Sequence, residues 1–286
     1  MMRFQEAIAE KGFFLCAILS VSITVTIFGF MVVLGLPLFE GGHAFTLLSK
    51  PWMPGSGSYG IYPMIAGTLT IAFLGLAFAF PLSIGCACVI SVLGPRPVSL
   101  VLRKVVELMT GIPTVIYGFV GIFLLVPIVR ELFEHGSGMC ILTASLMLAI
   151  LVSPTMILFF SDSFSRVPQS YLTAIDALGG SKVQKLFYVI LPCSRKGVLM
   201  GLILALGRAI GDTLIALMLA GNATGGPDSL LDSARTLTSH IALVIAADYE
   251  SLEFKSIFAC GMVLYLFAEL AALAVRFIGT REVNRK

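Results

Sequence analysis

Charge is scarce in this chain. Asp, Glu, Lys and Arg together make up 12% of its 286 residues, about half of the roughly 25% usual in soluble domains. Long basic runs are absent, which removes the electrostatic footprint of a nucleic-acid binder. No G-x-x-x-x-G-K-[ST] segment occurs, so no nucleotide is held by a P-loop. The three histidines, His43, His135 and His240, are scattered. They make neither a Ser–His–Asp arrangement nor a His/Cys metal cluster, and each reads as a solvated or capping residue. Of the six cysteines, Cys86-x-Cys88 has no second ligand pair beside it, so no metal site is expected. Cys16, Cys86, Cys88, Cys140, Cys193 and Cys260 all read as small buried hydrophobes. Trp52 is the only tryptophan and is expected at a membrane interface. No cofactor is implied.

Apolar residues fill the space that charge leaves. They make up 58% of the chain, and the mean hydropathy is +0.99. Length alone would suggest about two soluble domains; the hydropathy predicts a single transmembrane domain, residues 1–286, all-α and polytopic. Six transmembrane helices are expected, at about 13–36, 64–93, 99–129, 139–160, 197–221 and 256–277. The first apolar run, Phe13–Leu36, is too long for a signal-peptide core and is taken as a retained span. Gly111-Ile112-Pro113 breaks the third. Residues 161–196 are polar and read as two short helices, one stopped by Gly179-Gly180, the other opened by Ser181 as N-cap and stopped by Pro192. Ile241–Ala247 is apolar but too short to span. Lys and Arg cluster on one set of helix ends: Arg3, Lys11, Arg96, Arg103, Lys104, five residues between 161 and 196, and Arg276 onward. The opposite ends hold only Lys50, Arg130, Arg235 and Lys255. The positive-inside rule then places both termini and the 161–196 loop in the cytoplasm.

The fifth span carries the chemistry. Arg208 and Asp212 lie inside an almost wholly apolar run. Arg208 is ~16 Å from Gly197 at ~1.5 Å per residue, near the middle of a hydrocarbon core ~30 Å thick. A charge at that depth costs about 2.5–3.5 kcal/mol on insertion scales and marks a solute or ion path by default. On one continuous helix the two would share a face and pair. A purely structural pair locking two helices is the alternative. Gly197/Gly201 and Gly207/Gly211 have G-x-x-x-G spacing, which predicts a close helix–helix seam beside the charged face. Irregular backbone at the 111–113 break is tolerated only where protein or a water-filled cavity surrounds it, so Thr114 and Tyr117 are expected to face the path.

Tyr171–Pro192 reads YLTAIDALGGSKVQKLFYVILP. It resembles the cytoplasmic loop of bacterial ABC-importer permeases, whose pattern is E-A-A, three residues, Gly, nine residues, Ile, one residue, Leu-Pro. Ala174, Gly179, Leu191 and Pro192 match, while Thr173 stands in place of the glutamate. Glu107–Phe123 resembles the E-L-x-x-G-I-P-[ST]-V-x-Y-G segment of phosphate-transport permeases. Leu206–Asn222 resembles their fifth-span motif, with Asp212 where glutamate is usual and Thr213 after it. The outer-loop segments of Trp52–Leu69 fit as well.

The resemblance covers roughly residues 50–280 and is closest to the C-type permease of the phosphate importer (PstC type), with the A-type as a relative. It implies a type I ABC-importer (MetI-like) fold in a bacterial inner membrane. It also implies a second homologous permease, a cytoplasmic ATP-binding subunit dimer that docks on the 171–192 knob, and an extracytoplasmic phosphate-binding protein. The chain would not hydrolyse ATP itself. A permease for sulfate or molybdate remains open. So do an ion-coupled secondary transporter, with Asp212 or Glu269 carrying the proton, and a phosphate sensor.

Overall fold

A computed structural model describes residues 2–35, 49–134 and 136–283 of the chain. His43, His135 and the far end of the basic tail lie outside them. Among the described residues, six helical stretches are long and apolar enough to cross a membrane: Ala9–Gly35, Tyr62–Leu93, Thr114–Phe133, Ile141–Ser165, Lys182–Gly211 and Leu252–Ile278.

The first helix, α1 (Met2–Gly35), has none of its apolar window buried. Phe13, Phe14, Leu15 and their neighbours point outward, as lipid permits. Cys16 is exposed among them, and Cys193 is exposed as well, so neither is a core residue. The chain resumes in a two-stranded hairpin, β1 (Trp52–Met53) and β2 (Ser58–Tyr59), paired Trp52 to Tyr59. Helix α2 (Tyr62–Cys88) follows and continues through a π turn, Val89–Leu93.

The expected third span divides in two. α3 (Arg96–Thr110) is a separate amphipathic helix carrying the exposed Arg103–Glu107 ion pair at 3.0 Å. After Gly111-Ile112-Pro113 the spanning part begins as α4 (Thr114–Val120), passes through a π turn at Gly121–Leu125 and ends as α5 (Val126–Phe133).

Helix α6 (Ile141–Ser165) is the axis. Its apolar window is 72% buried, and Leu148, Val152, Met156 and Phe160 are closed off between α2 and the fifth span. In lipid this packing rests on dispersion contacts and close approach, because the surrounding tails are as apolar as the side chains. Gly201 illustrates it: a Cβ there would meet Phe160 at 2.9 Å. The 161–196 region folds as α7 (Gln169–Ala177) and α8 (Lys182–Lys185). α8 runs through a π turn, Leu186–Ile190, into α9 (Leu191–Gly211) without a stop.

Pro192 therefore does not end the helix. A proline has no N–H to give and its ring crowds the carbonyl four residues back; the wider π turn relieves both. The pattern recurs, with Pro95, Pro127 and Pro192 each lying two residues beyond a π turn. The fifth span then breaks at Asp212-Thr213, short of the expected 221. A short α10 (Leu214–Leu219), a covering loop, α11 (Leu237–Val244) and α12 (Leu252–Val283) complete the chain. α11 is too short to span, as its apolar stretch predicts.

At the end opposite the 161–196 knob, Trp52, Ile61, Met64, Leu237, Ala259 and Cys260 form a second core. Trp52 is 6% exposed, so it is an interior residue and not an interfacial anchor. His240 is fully buried, not solvated. It meets the Trp52 ring edge-on at 4.4 Å.

Candidate functional site

Asp212 does not continue α9. Its backbone is extended (φ −73°, ψ 125°), and its carboxylate accepts the Ile215 N–H at 2.9 Å. It caps the first turn of α10, where backbone N–H groups would otherwise lack partners. Its own carbonyl accepts the Thr238 hydroxyl at 2.9 Å, tying the break to α11. A cavity of about 10 Å³, room for roughly one water, lies behind it, lined in part by Thr68, Asp212 and Thr236. Thr213 heads α10 without a side-chain cap bond.

Arg208, one turn earlier, is exposed on the face of α9. Because the helix ends between them, Arg208 and Asp212 do not share a helical face. Among the described residues the ion pairs are Arg103–Glu107, Arg166–Asp162 and Lys185–Asp176, and Arg208 is in none. Its guanidinium instead donates from Nη1 to Thr155 Oγ1 on α6, at 3.0 Å. The expected intrahelical pair is thus replaced by a cation held by a hydroxyl and a carboxylate used as a cap.

The glycine stripe also divides. Gly201 and Gly197 press against α6, whereas Gly207 and Gly211 are exposed with no heavy atom within 4 Å of an added Cβ. The face next to Arg208 is open within this chain, not a seam. Tyr117 is 7% exposed and donates to the Met109 carbonyl at 2.9 Å, bridging the 111–113 break. Thr114 is half-buried at the start of α4.

Thr155, Thr238, Thr68 and Thr236 escaped sequence reasoning. Pro154, which denies the Ile150 carbonyl its helical donor, was the signal beside Thr155. The others lie in segments without periodic charge.

At the other end the turn of the knob is built as its sequence suggests, although its second helix runs on past Pro192. Ser181 caps α8 in a capping box with Gln184: Gln184 N–H donates to Ser181 Oγ at 3.3 Å, and Ser181 N–H to Gln184 Oε1 at 2.8 Å. Gly179 takes φ +73°, and Lys185–Asp176 closes the turn at 2.6 Å. Leu186 and Ile190 bury toward the core. Ala174, Gly179 and Pro192 are exposed and Leu191 is half-buried. Beside them Tyr171, Leu178, Val183, Phe187 and Tyr188 are uncovered.

The family described as "Binding-protein-dependent transport system inner membrane component" matches residues 79–279. The chain belongs to that family. This permease is 31% identical over 272 residues to the "Probable ABC transporter permease protein YqgH" of Bacillus subtilis (strain 168), covering 93% of its own length and 88% of the relative's. It is 30% identical over 251 residues to the "Phosphate transport system permease protein PstC" of Mesorhizobium japonicum, covering 81% and 77% of the two chains.

Among solved structures, a chain of a bacterial ABC transporter that imports the polysaccharide alginate superposes with a TM-score of 0.63 at 15% identity, over 96% of both chains. One from an inward-facing MetNI methionine ABC transporter gives 0.59 at 14% identity, over 84% of this chain and 99% of that one. These likenesses establish the MetI-like permease fold. The chain is thus a multi-pass inner-membrane permease subunit and not the ATP hydrolase. Permeases of this kind work with ATPase and binding-protein partners.

Proposed function

We propose that this permease conducts inorganic phosphate, and that Arg208 is the cation its path presents. The observation that carries the reading is an arginine inside a spanning helix, exposed and in ion-pair contact with no carboxylate among the described residues. Arginine stays charged and offers five donors in a fork that suits an oxyanion. Four of the five have no partner among the described residues, since the one bond is that to Thr155. The phosphate named in the relatives' descriptions supplies the substrate class. Asp212, Thr213, Thr114 and Tyr117 belong to the same reading as the walls around Arg208. Asp212 contributes a second property: a carboxylate accepts a hydrogen bond from the O–H that phosphate keeps near neutral pH and repels a bare sulfate dianion, which is specificity by a repulsive element.

In this reading residues 1–286 act as one transmembrane domain. The basic ends, both termini and the 161–196 loop are cytoplasmic. The knob carrying Ala174, Gly179, Leu191 and Pro192 seats in a cytoplasmic ATP-binding dimer. A second permease covers the open face, and an extracytoplasmic phosphate-binding protein delivers the solute.

Uptake of radiolabelled phosphate by reconstituted vesicles, at matched amounts of assembled complex, tests this. Arg208→Gln should lower uptake by roughly tenfold or more, the scale of a lost hydrogen bond to a charged group. Asp212→Asn, which keeps an acceptor for the Ile215 N–H, should admit sulfate as a competitor. Unchanged uptake by Arg208→Gln would refute the path. Sulfate or molybdate carried in preference to phosphate by the unmodified complex would reassign the substrate.

A further inference from the structure

Several hydroxyls inside the spans of this permease fold back onto their own helix, while Ser83 and Ser194 donate to a carbonyl of a neighbouring one. Thr24 donates to Ser20 O, Thr26 to Ser22 O, Thr68 to Met64 O, Ser153 to Ala149 O and Ser163 to Phe159 O, at 2.6–3.0 Å. That habit satisfies the hydroxyl without help from another element. Thr155 departs from it. Its oxygen accepts from Arg208 Nη1 at 3.0 Å, across 53 positions of sequence, and among the described residues its own proton has no acceptor.

A threonine hydroxyl carries one donor and two acceptor lone pairs. Arg208 occupies a lone pair, so the O–H remains to donate. The guanidinium likewise has donors left over. Two helices, α6 and α9, thus bring a cation and a hydroxyl to within one hydrogen bond of each other, and both have unused protons. A tetrahedral oxyanion, with several acceptor oxygens, is the ligand such a pair suits.

We propose that Thr155 is a second ligand of the transported oxyanion: it aims the Arg208 guanidinium and donates its own proton to the anion. The proposal rests on the reading that Arg208 lies on the solute's route. It adds a residue of the fourth span to a site otherwise placed on the third and fifth. Thr155 has two jobs with different signatures. As a positioning residue it restricts the rotamers of a long side chain, a restriction the binding of solute would otherwise have to impose. As a ligand it adds a hydrogen bond to an ion, one of the stronger kinds.

The test uses the assembled transporter in vesicles, with inorganic phosphate as probe, and reads KM and maximal rate separately. Thr155→Val keeps the shape and removes the hydroxyl. It should raise KM roughly tenfold with the maximal rate nearly kept. Thr155→Ser restores the hydroxyl and should return KM to within about twofold of the original. In an Arg208→Lys background, where the fork is gone, the Thr155→Val effect should shrink.

An unchanged KM for Thr155→Val beside a dead Arg208→Gln would overturn the proposal and leave the Arg208 path standing. Full uptake by Arg208→Gln would overturn both. Reduced thermal stability of Thr155→Val with normal KM would mean that the hydroxyl only fastens α6 to α9. If Thr155→Val does not assemble, comparison of Thr155→Ala with Thr155→Ser decides the matter. A raised KM in alanine alone supports the proposal, and equal KM values refute it.

Discussion

Gly179 turns the chain between α7 and α8 at φ +73°, and an added Cβ there would touch nothing within 4 Å. The demand is on backbone conformation, not on space. A β-branched residue in the left-handed region costs about 1–2 kcal/mol, enough to disturb the turn that sets α7 against α8. Gly179→Val is expected to insert and accumulate normally yet lose the ATPase on co-purification. Gly179→Asn, which tolerates this conformation, should keep it. If the valine variant held the ATPase normally, the docking surface would lie elsewhere. Such local features were legible in the sequence: Ser181 announced its N-cap, and Gly179 its turn. Arg208 was legible as a misplaced charge, but its partner was not. Thr155 is an ordinary residue far away in sequence, brought close only by the packing of α6 on α9. Asp212 was misassigned because Gly211-Asp212-Thr213 lies within a long apolar run and contains no proline, so its stop and cap signals were read as part of a continuing span.

At the scale of elements, the three π turns are the feature hydropathy could not reveal. An apolar run looks the same whether its backbone closes every fourth or every fifth residue. The prolines two positions on were visible, and Pro192 reads naturally as a terminator. It is tolerated because the turn ahead of it is wide. A π turn takes up one extra residue as a bulge while the helix on either side keeps its facing. Deleting Phe187 together with Pro192→Ala should therefore leave a plain helix with the knob and Arg208 in their present relation. Uptake should stay within about threefold of normal. Deleting Ile203, in the regular part of α9, should turn everything beyond it by about 100° and abolish uptake. Equal damage from both deletions, measured as phosphate uptake per assembled complex, would show that the turn is not a neutral insertion. The breaks at 111–113 and 212–213 divide in the same way: the first was marked by glycine and proline, the second by a glycine and a capping carboxylate without proline.

The whole molecule was the most readable level, because six long apolar runs separated by polar stretches leave little choice in lipid. What stayed hidden was how the end opposite the knob closes. There β1, far away in sequence, meets α11 and the start of α12 around His240. Ser256 donates to the Glu253 carbonyl at 2.5 Å, so its oxygen accepts from His240 Nε2–H, 3.1 Å away. Nδ1 is left buried with no partner among the described residues. Burial, with the Arg235 charge nearby, lowers the His240 pKa from 6.5 to about 4. A histidine held neutral in this way favours the closed arrangement fully above about pH 6.5 and progressively less as the pH falls toward 4. The difference is about 3 kcal/mol at most, at about 1.4 kcal/mol per unit. The ring that His240 meets belongs to Trp52, and the sequence holds no other tryptophan. The tryptophan fluorescence of the chain, excited where tyrosine does not absorb, is thus a signal from this one junction. Emission should be flat above about pH 6.5 and change toward about pH 4 as an imidazolium forms against the indole. His240→Phe should be silent across that range, and a variant that titrated like the original would mean the light reports some other group. A permease of 286 residues thereby carries its own single-site optical probe at the end farthest from the knob, with no label to attach.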